Sequence, residues 1–135
     1  MMIKKLKDYS KLDFLELALR IWMAFILISN AGVGLIKPLE ELGLESHIYQ
    51  IIKGMWDTGF MMHLVKATEF ITGLMLLFNI FVPLALMALI PVVINIYGMH
   101  IFMFDSYLTN GLTMLHICGF LVYQHRVKFK PLLSA

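Results

Sequence analysis

The stretch MMHLVKATEFITGLMLLFNIFVPLALMALIPVVINIYGMHIFMF, residues 61–104, decides the fold. It holds two apolar runs, 61–81 and 83–104, joined by a short segment that ends at Pro83, a residue suited to the opening position of a helix. About 20 predominantly apolar residues are enough for a helix to cross the hydrocarbon core of a bilayer. The stretch therefore predicts an antiparallel pair of membrane-spanning helices.

Two further apolar runs flank this pair, at residues 15–36 and 106–124. Lys37-Pro38 ends the first of them, because proline cannot continue a helix. Asp105-Ser106 supplies N-cap oxygens for the other. We predict an all-α fold, a polytopic membrane protein in which a four-transmembrane-helix bundle forms a single domain of residues 1–135.

The connection between the first two runs has a helical periodicity of its own. Its apolar side chains recur at i, i+3, i+4, i+7 and i+8, which is one face of a helix: Ile48, Ile51, Ile52, Met55 and Trp56. A segment of this kind lies flat at a membrane surface, with its tryptophan at the level of the headgroups. We predict an interfacial amphipathic helix in the first external loop.

The composition supports a membrane protein and argues against other classes. The chain is 60% apolar and 15% charged, whereas ordinary soluble domains are about 45–50% apolar and about 25% charged. Its mean hydropathy is +0.81. The lone Cys118 excludes an internal disulfide and a cysteine metal cluster. The basic residues form no stripe interleaved with aromatics, which argues against nucleic acid as a partner.

Lysine and arginine residues gather at the two ends of the chain. Lys4, Lys5, Lys7 and Lys11 precede the first run, and Arg126, Lys128 and Lys130 follow the last. The positive-inside rule assigns such segments to the cytoplasm, and an even number of spans returns both ends to the same side. We therefore expect cytoplasmic N- and C-termini. The first run is too long for a signal-peptide core, so we expect it to be retained as a span.

Polar side chains within the runs gather in the half of the bilayer away from the cytoplasm. Counting 1.5 Å per residue from the outer ends places Glu69, Asn95 and His116 about 12–15 Å below the outer surface. The remaining ones lie shallower: Asn30, Lys66, Tyr97, His100 and Asn110. Ionisable groups at membrane depth usually face the bundle interior or a functional cavity, so we predict a polar pocket in the outer leaflet. In the inner half, Arg20 is predicted to pair with Glu16.

These polar groups fit ligand binding, and they also fit helix packing. In the first interpretation, Glu69 with His116 or His100 lines a pocket for a quinone ring and passes a proton as the ring is reduced or oxidised. In the second, Lys66 and Glu69 neutralise each other while the asparagines form interhelical hydrogen bonds. A haem b between two histidines is disfavoured, because no small-residue pattern leaves space for a flat macrocycle. The sequence contains no metal-binding motif.

Two segments carry a family resemblance. Residues 69–73 read Glu-Phe-Ile-Thr-Gly, and residues 91–100 read Pro-Val-Val-Ile-Asn-Ile-Tyr-Gly-Met-His. With Arg20 early in the first run and Gly34 near its end, they resemble the DoxX family of bacterial four-helix membrane proteins. The resemblance extends from about residue 20 to residue 123. It implies a bacterial inner-membrane protein. Relatives are linked to a membrane thiosulfate:quinone oxidoreductase and to redox-stress complexes with soluble sulfur-handling partners.

The residues and the resemblance together predict a DoxX-like membrane subunit that binds quinone, or a similar lipid-soluble molecule, as part of a redox complex. In this prediction Glu69 is the proton-handling group, His116 and His100 are hydrogen-bond partners, and Asn95 orients the ligand. The rest of the predicted cofactor-binding set is Lys66, Tyr97 and Asn30. Two alternatives stay open: a non-catalytic structural or assembly subunit of a membrane complex, and a small lipid-binding or transport module.

Overall fold

The computed structural model describes residues 10–36, 40, 46–103 and 110–133, apart from the side chains of 35, 46–48, 100, 103, 110–111 and 132–133. These ranges contain six α-helices and no strand, which confirms the predicted all-α fold. The helices are α1 (Lys11–Ile36), α2 (Ser46–Asp57), α3 (Met61–Leu77), α4 (Val82–Met103), α5 (Asn110–Gln124) and α6 (Arg126–Leu133). The predicted stop at Lys37-Pro38 and cap at Asp105-Ser106 lie outside the described residues.

Four of the helices, α1, α3, α4 and α5, coincide with the four predicted apolar runs. Helix α1 begins at Lys11, four residues before the predicted run, because Ser10 caps it. The Ser10 hydroxyl accepts the N–H of Leu12 at 3.1 Å, and the Ser10 N–H donates to the Asp13 carboxylate at 3.1 Å. Helix α6 was not predicted; it follows α5 after a turn at His125, in a segment interpreted only as a basic tail.

The long helices form a ring in which α1 packs on α3 and α5, and α4 packs on the same two helices. Gly73 allows the backbones of α3 and α1 to approach each other. A Cβ atom at this position would lie 2.9 Å from Ile28 Cγ1 and 3.3 Å from the carbonyl oxygen of Ala24. The largest apolar side chains buried within the ring are Met23, Leu27, Leu76, Leu86, Leu89, Val93, Met114 and Leu121.

The outside of the ring is also apolar. Large apolar side chains on several helices are more than half exposed, among them Phe25 on α1, Leu64 on α3 and Leu84 on α4. The buried side chains, in contrast, include those of Arg20, Glu69 and Thr72. A water-soluble helical bundle has a mainly charged and polar surface over an apolar interior, whereas here large apolar side chains occupy both the interior and much of the outside.

One of the described helices is long and apolar enough to cross a membrane, over Val82–Met99, and 28% of that stretch is buried within the protein. A second such element exists if Tyr49–Asp57 and Met61–Leu77, which meet at an angle of 95°, are taken together. The predicted arrangement of four spans stays a prediction.

Helix α2 confirms the helix predicted in the first connection. Lys53 on its exposed face donates a hydrogen bond of 2.7 Å to Asp57, and this bond raises the pKa of Lys53. At the bend into α3, the rings of Trp56 and His63 meet edge to face, with centroids 4.9 Å apart. The predicted location of α2 at a membrane surface stays a prediction.

Helix α3 ends four residues before the predicted run does, in a Schellman motif. The N–H of Ile80 donates to the carbonyl of Met75 at 2.9 Å, and the N–H of Asn79 donates to that of Leu76 at 3.3 Å. Asn79 adopts the left-handed conformation that this motif requires, with φ of 58°. Phe81, the residue before α4, has φ of 46°, which is unusual for a large side chain.

Candidate functional site

A buried carboxylate lies on the face of α3 that points into the ring. Glu69 is 2% exposed, and its Oε2 accepts a hydrogen bond of 2.8 Å from Lys66 Nζ. The Lys66 side chain is 17% exposed and lies against Gly34 of α1, where an added Cβ would be 2.7 Å from Lys66 Cε. Lys66 and Glu69 therefore neutralise each other at the contact between α1 and α3. This geometry is the one expected if the pair serves helix packing.

A second buried charge lies at the other end of the same contact. Arg20 is 6% exposed, and its Nη1 donates to the carbonyl of Leu76, in the last turn of α3, at 2.9 Å. Its Nε lies 3.1 Å from Glu16 Oε1, so the predicted ion pair is confirmed, although the N–H does not point at the carboxylate and makes no hydrogen bond. A cation beside the C-terminal carbonyls of a helix is stabilised by the helix dipole. Arg20 thus caps α3 from α1.

A groove of about 460 Å³ runs between α1 and α5. Its lining is mostly apolar: Leu19 and Trp22 from α1, and Leu112, Thr113, His116 and Ile117 from α5. His116 is exposed, and its Nδ1 lies 2.8 Å from the carbonyl oxygen of Leu112. Because a carbonyl only accepts, Nδ1 carries the hydrogen, and a neutral ring then has its acceptor lone pair on Nε2. In the described part of the chain, no hydrogen bond joins Nε2 to another group.

The other predicted site residues are less enclosed. The Asn95 side chain is exposed and donates to the carbonyl of Pro91 in its own helix at 3.0 Å, so among the described residues it forms no interhelical bond. Asn30 is exposed, and Tyr97 is half-buried. The side chain of His100 lies outside the description.

The described groove contains His116 and not Glu69, and the predicted meeting of Glu69 with His116 or His100 in one outer-leaflet pocket stays a prediction. Lys66, which holds Glu69, lies against Gly34, whereas His116 lies with Trp22. Positions 22 and 34 are 12 residues apart, which corresponds to about 18 Å along α1. Depth counted from the outer end of each run assumes that all runs begin at one level, but His116 on α5 lies beside Leu19 and Trp22, far from the outer end of α1 at Ile36.

Two contributions were missed from the sequence. Trp22 was not among the candidates, because the sequence alone does not show whether a tryptophan in an apolar run lines a groove or faces lipid. The bond from Arg20 to Leu76 was missed because it joins residues 56 positions apart, and sequence spacing reveals only the contact with Glu16.

The chemistry open to this chain follows from these groups. Among the described residues, no three histidine, cysteine, aspartate or glutamate side chains lie close enough together to hold a metal ion. The groove instead offers one imidazole acceptor in an apolar setting. Comparisons with protein-family models, curated proteins and solved structures found no match, so the resemblance to the DoxX family stays a prediction.

Proposed function

We propose that the chain is a four-span protein of the bacterial inner membrane with both termini in the cytoplasm. The distribution of side chains supports this, because the ring is apolar outside and holds charged groups inside. The core helix of a water-soluble protein is mostly buried, whereas only 28% of Val82–Met99 is. Helices α1 and α4 have 26 and 22 residues, or about 39 and 33 Å, which is enough to cross a hydrocarbon core of about 30 Å. Helix α3 and the described part of α5 are shorter, with 17 and 15 residues.

Within this protein, the groove between α1 and α5 is the ligand site. Its volume of about 460 Å³ falls within the range of small-molecule sites, about 300–1,000 Å³. Trp22 lies near the middle of α1, so the groove opens to lipid near the centre of the bilayer. An acceptor such as His116 Nε2 is costly to leave unsatisfied in hydrocarbon. A lipid-soluble molecule that carries a hydroxyl group satisfies it.

The ligand class that fits best is a quinone-type carrier in its reduced form. The hydroxyls of a quinol donate hydrogen bonds, whereas the carbonyls of the oxidised ring only accept them. The single observation that carries this choice is the hydrogen bond from His116 Nδ1 to Leu112, because it leaves Nε2 of the neutral ring as an acceptor. Trp22 adds an aromatic surface for the ring of the ligand. With the DoxX resemblance, these features support a membrane subunit of a quinone-linked redox complex.

The fluorescence of Trp22 tests this function. The chain has two tryptophans, so a Trp56→Phe variant in lipid nanodiscs reports on Trp22 during titration with decylubiquinol or decylubiquinone. We expect saturable quenching with about two- to tenfold tighter binding of the quinol, which is what one net hydrogen bond of about 0.5–1.5 kcal/mol provides. Replacing His116 with phenylalanine should remove this preference. Gln50→Ala, which changes an exposed polar group on another helix, should not. Quenching that rises linearly without saturation would refute the function.

A second candidate function, a non-catalytic assembly subunit, is favoured by a different observation. The most buried polar groups already have partners within the chain: Glu69 has Lys66, and Arg20 has Leu76 and Glu16. In this function the polar groups only hold the helices together. Loss of a partner protein on Glu69→Gln, with no saturable quinol binding by the unaltered chain, would favour it over the first.

A further inference from the structure

The turn between α3 and α4, residues 78–81, is apolar and exposed. Phe78, Ile80 and Phe81 are 62%, 51% and 73% exposed, and Asn79 is the one polar residue among the four. Turns that face water are built mainly from glycine, proline, asparagine, aspartate and serine, and they keep large apolar side chains covered. The composition of this turn is instead that of a surface in contact with hydrocarbon.

Three of the four backbone N–H groups in the turn are satisfied by α3, and that of Phe81 has no partner among the described residues. The N–H groups of Phe78, Asn79 and Ile80 all donate to carbonyls in the last turns of α3. One of those carbonyls, that of Leu76, also accepts from the Arg20 guanidinium. At the start of α4, Pro83 has no N–H to satisfy. An unpaired backbone group is strongly disfavoured in lipid, so these bonds lower the cost of placing the turn there.

Contacts with α1 set the level of the turn. Arg20 touches the last turn of α3 and lies nine positions after Lys11, the first residue of α1. At 1.5 Å per residue, α1 therefore extends about 14 Å beyond the level of Arg20 toward the cytoplasmic end of the ring. Helix α3, with 17 residues, is also shorter than the roughly 20 needed to reach from one surface to the other. The turn thus lies deeper than the end of α1.

We propose that residues 78–81 are inserted among the acyl chains of the inner leaflet, so that α3 and α4 form a hairpin that stops short of the cytoplasmic surface. The partner of this exposed surface is lipid hydrocarbon. Arg20 is a buried cation at this depth because it satisfies the carbonyl of Leu76 where water does not reach. The left-handed backbone of Phe81 is strained, and contact of its ring with hydrocarbon offsets that strain. The inference rests on the membrane arrangement proposed above, with α2 on the outer side and both termini in the cytoplasm, and changes only how far α3 and α4 reach toward the cytoplasmic surface.

Cysteine labelling in membrane vesicles tests the insertion. Single cysteines are placed in a Cys118→Ser background at Phe81, at Lys128 on α6, and at Gln50 on α2, all of which are exposed. A membrane-impermeant maleimide is then applied to inverted and to right-side-out vesicles. We expect Lys128→Cys to react in inverted vesicles and Gln50→Cys in right-side-out ones. Phe81→Cys should react at least tenfold more slowly than either from both sides, and react fully once detergent dissolves the membrane.

The two proposals fail in different ways. If Phe81→Cys reacts as fast as Lys128→Cys in inverted vesicles, the turn is in water and the insertion is wrong, while the four-span arrangement stands. If Lys128→Cys and Gln50→Cys react from the same side, the arrangement itself is wrong. A spin label at Ile80→Cys gives an independent measure of depth. Greater collision with oxygen than with a water-soluble nickel chelate is expected, and the reverse order would overturn the insertion.

Discussion

Lys66 and Glu69 form a buried ion pair, so we predict a large coupling free energy between them. An exposed pair with the same separation should show little. Their charged atoms are 2.8 Å apart, with side chains 17% and 2% exposed. Coulomb attraction at that distance is about 6 kcal/mol for an effective dielectric constant of about 20. Desolvation of both groups cancels much of this attraction in the net stability of the pair. Removing one partner leaves the other buried without compensation, at a cost of about 3–5 kcal/mol.

A double-mutant cycle measures the coupling directly. Lys66→Met and Glu69→Gln should each lower the free energy of unfolding by about 3 kcal/mol, and the double variant should lose at least 2 kcal/mol less than their sum. Reversible unfolding of the protein in bicelles is the assay. Lys53 and Asp57 are the matched control, because their 2.7 Å bond is as short but their side chains are 49% and 62% exposed. We expect little coupling between them.

Coupling between Lys66 and Glu69 that is no larger than that between Lys53 and Asp57 would contradict the burial of the first pair. That result would mean that water reaches Glu69 freely, and the carboxylate would then return as a candidate for proton transfer. If the coupling is large and the Lys66 and Glu69 variants bind quinol as the unaltered protein does, the two residues serve folding alone.

Three further changes test the packing and the helix ends by the same unfolding assay. Gly73→Ala should lower the free energy of unfolding by about 1–3 kcal/mol, because the added Cβ meets Ile28 and the Ala24 backbone. Gly119→Ala, whose Cβ meets nothing within 4 Å, should leave it unchanged. Equal effects of the two changes would contradict the close approach of α1 and α3. Arg20→Met should lower the free energy of unfolding by about 1.5–3 kcal/mol, because the charged hydrogen bond to Leu76 is lost. Arg20→Lys should lower it less. An unchanged stability of Arg20→Met would show that the cap is dispensable. Asn79→Gly should preserve or raise stability, while Asn79→Ala should lower it by about 1 kcal/mol, since φ is 58° there; the opposite order would contradict the Schellman motif.

Most of the secondary structure was predictable from the sequence, because long apolar runs and a strong helical period are local signals. The boundaries were less predictable. The cap at Ser10 and the left-handed Asn79 each moved a helix end by four residues, and both depend on conformations that compete closely with helix. Helix α6 was missed because its basic composition carries no apolar period. Its Phe129 nevertheless packs against the core.

The direction of the polar side chains was harder to predict than their position along each helix. Lys66, Glu69 and Gly73 recur at i, i+3 and i+7, which is one face of a helix, and that face is found at the contact with α1. His116 has an equally regular place on α5, but the groove that it enters depends on how far α5 is displaced along α1. That displacement is a property of packing between distant segments, and no spacing within one run encodes it.

Four of the residues that carry the family resemblance, Arg20, Gly34, Glu69 and Gly73, meet at one interface, and this bears on how function should be sought. Gly34 gives space to the Lys66 side chain, Lys66 binds Glu69, and Gly73 admits the backbone of α1. Arg20 completes the same contact at its other end. Each of these residue types is thus explained by the packing of α1 on α3, without a ligand. A motif with such a complete structural explanation is weak support for a catalytic role. The stronger test of function lies in the groove on the opposite flank of α1, where His116 has an acceptor that the described chain does not use.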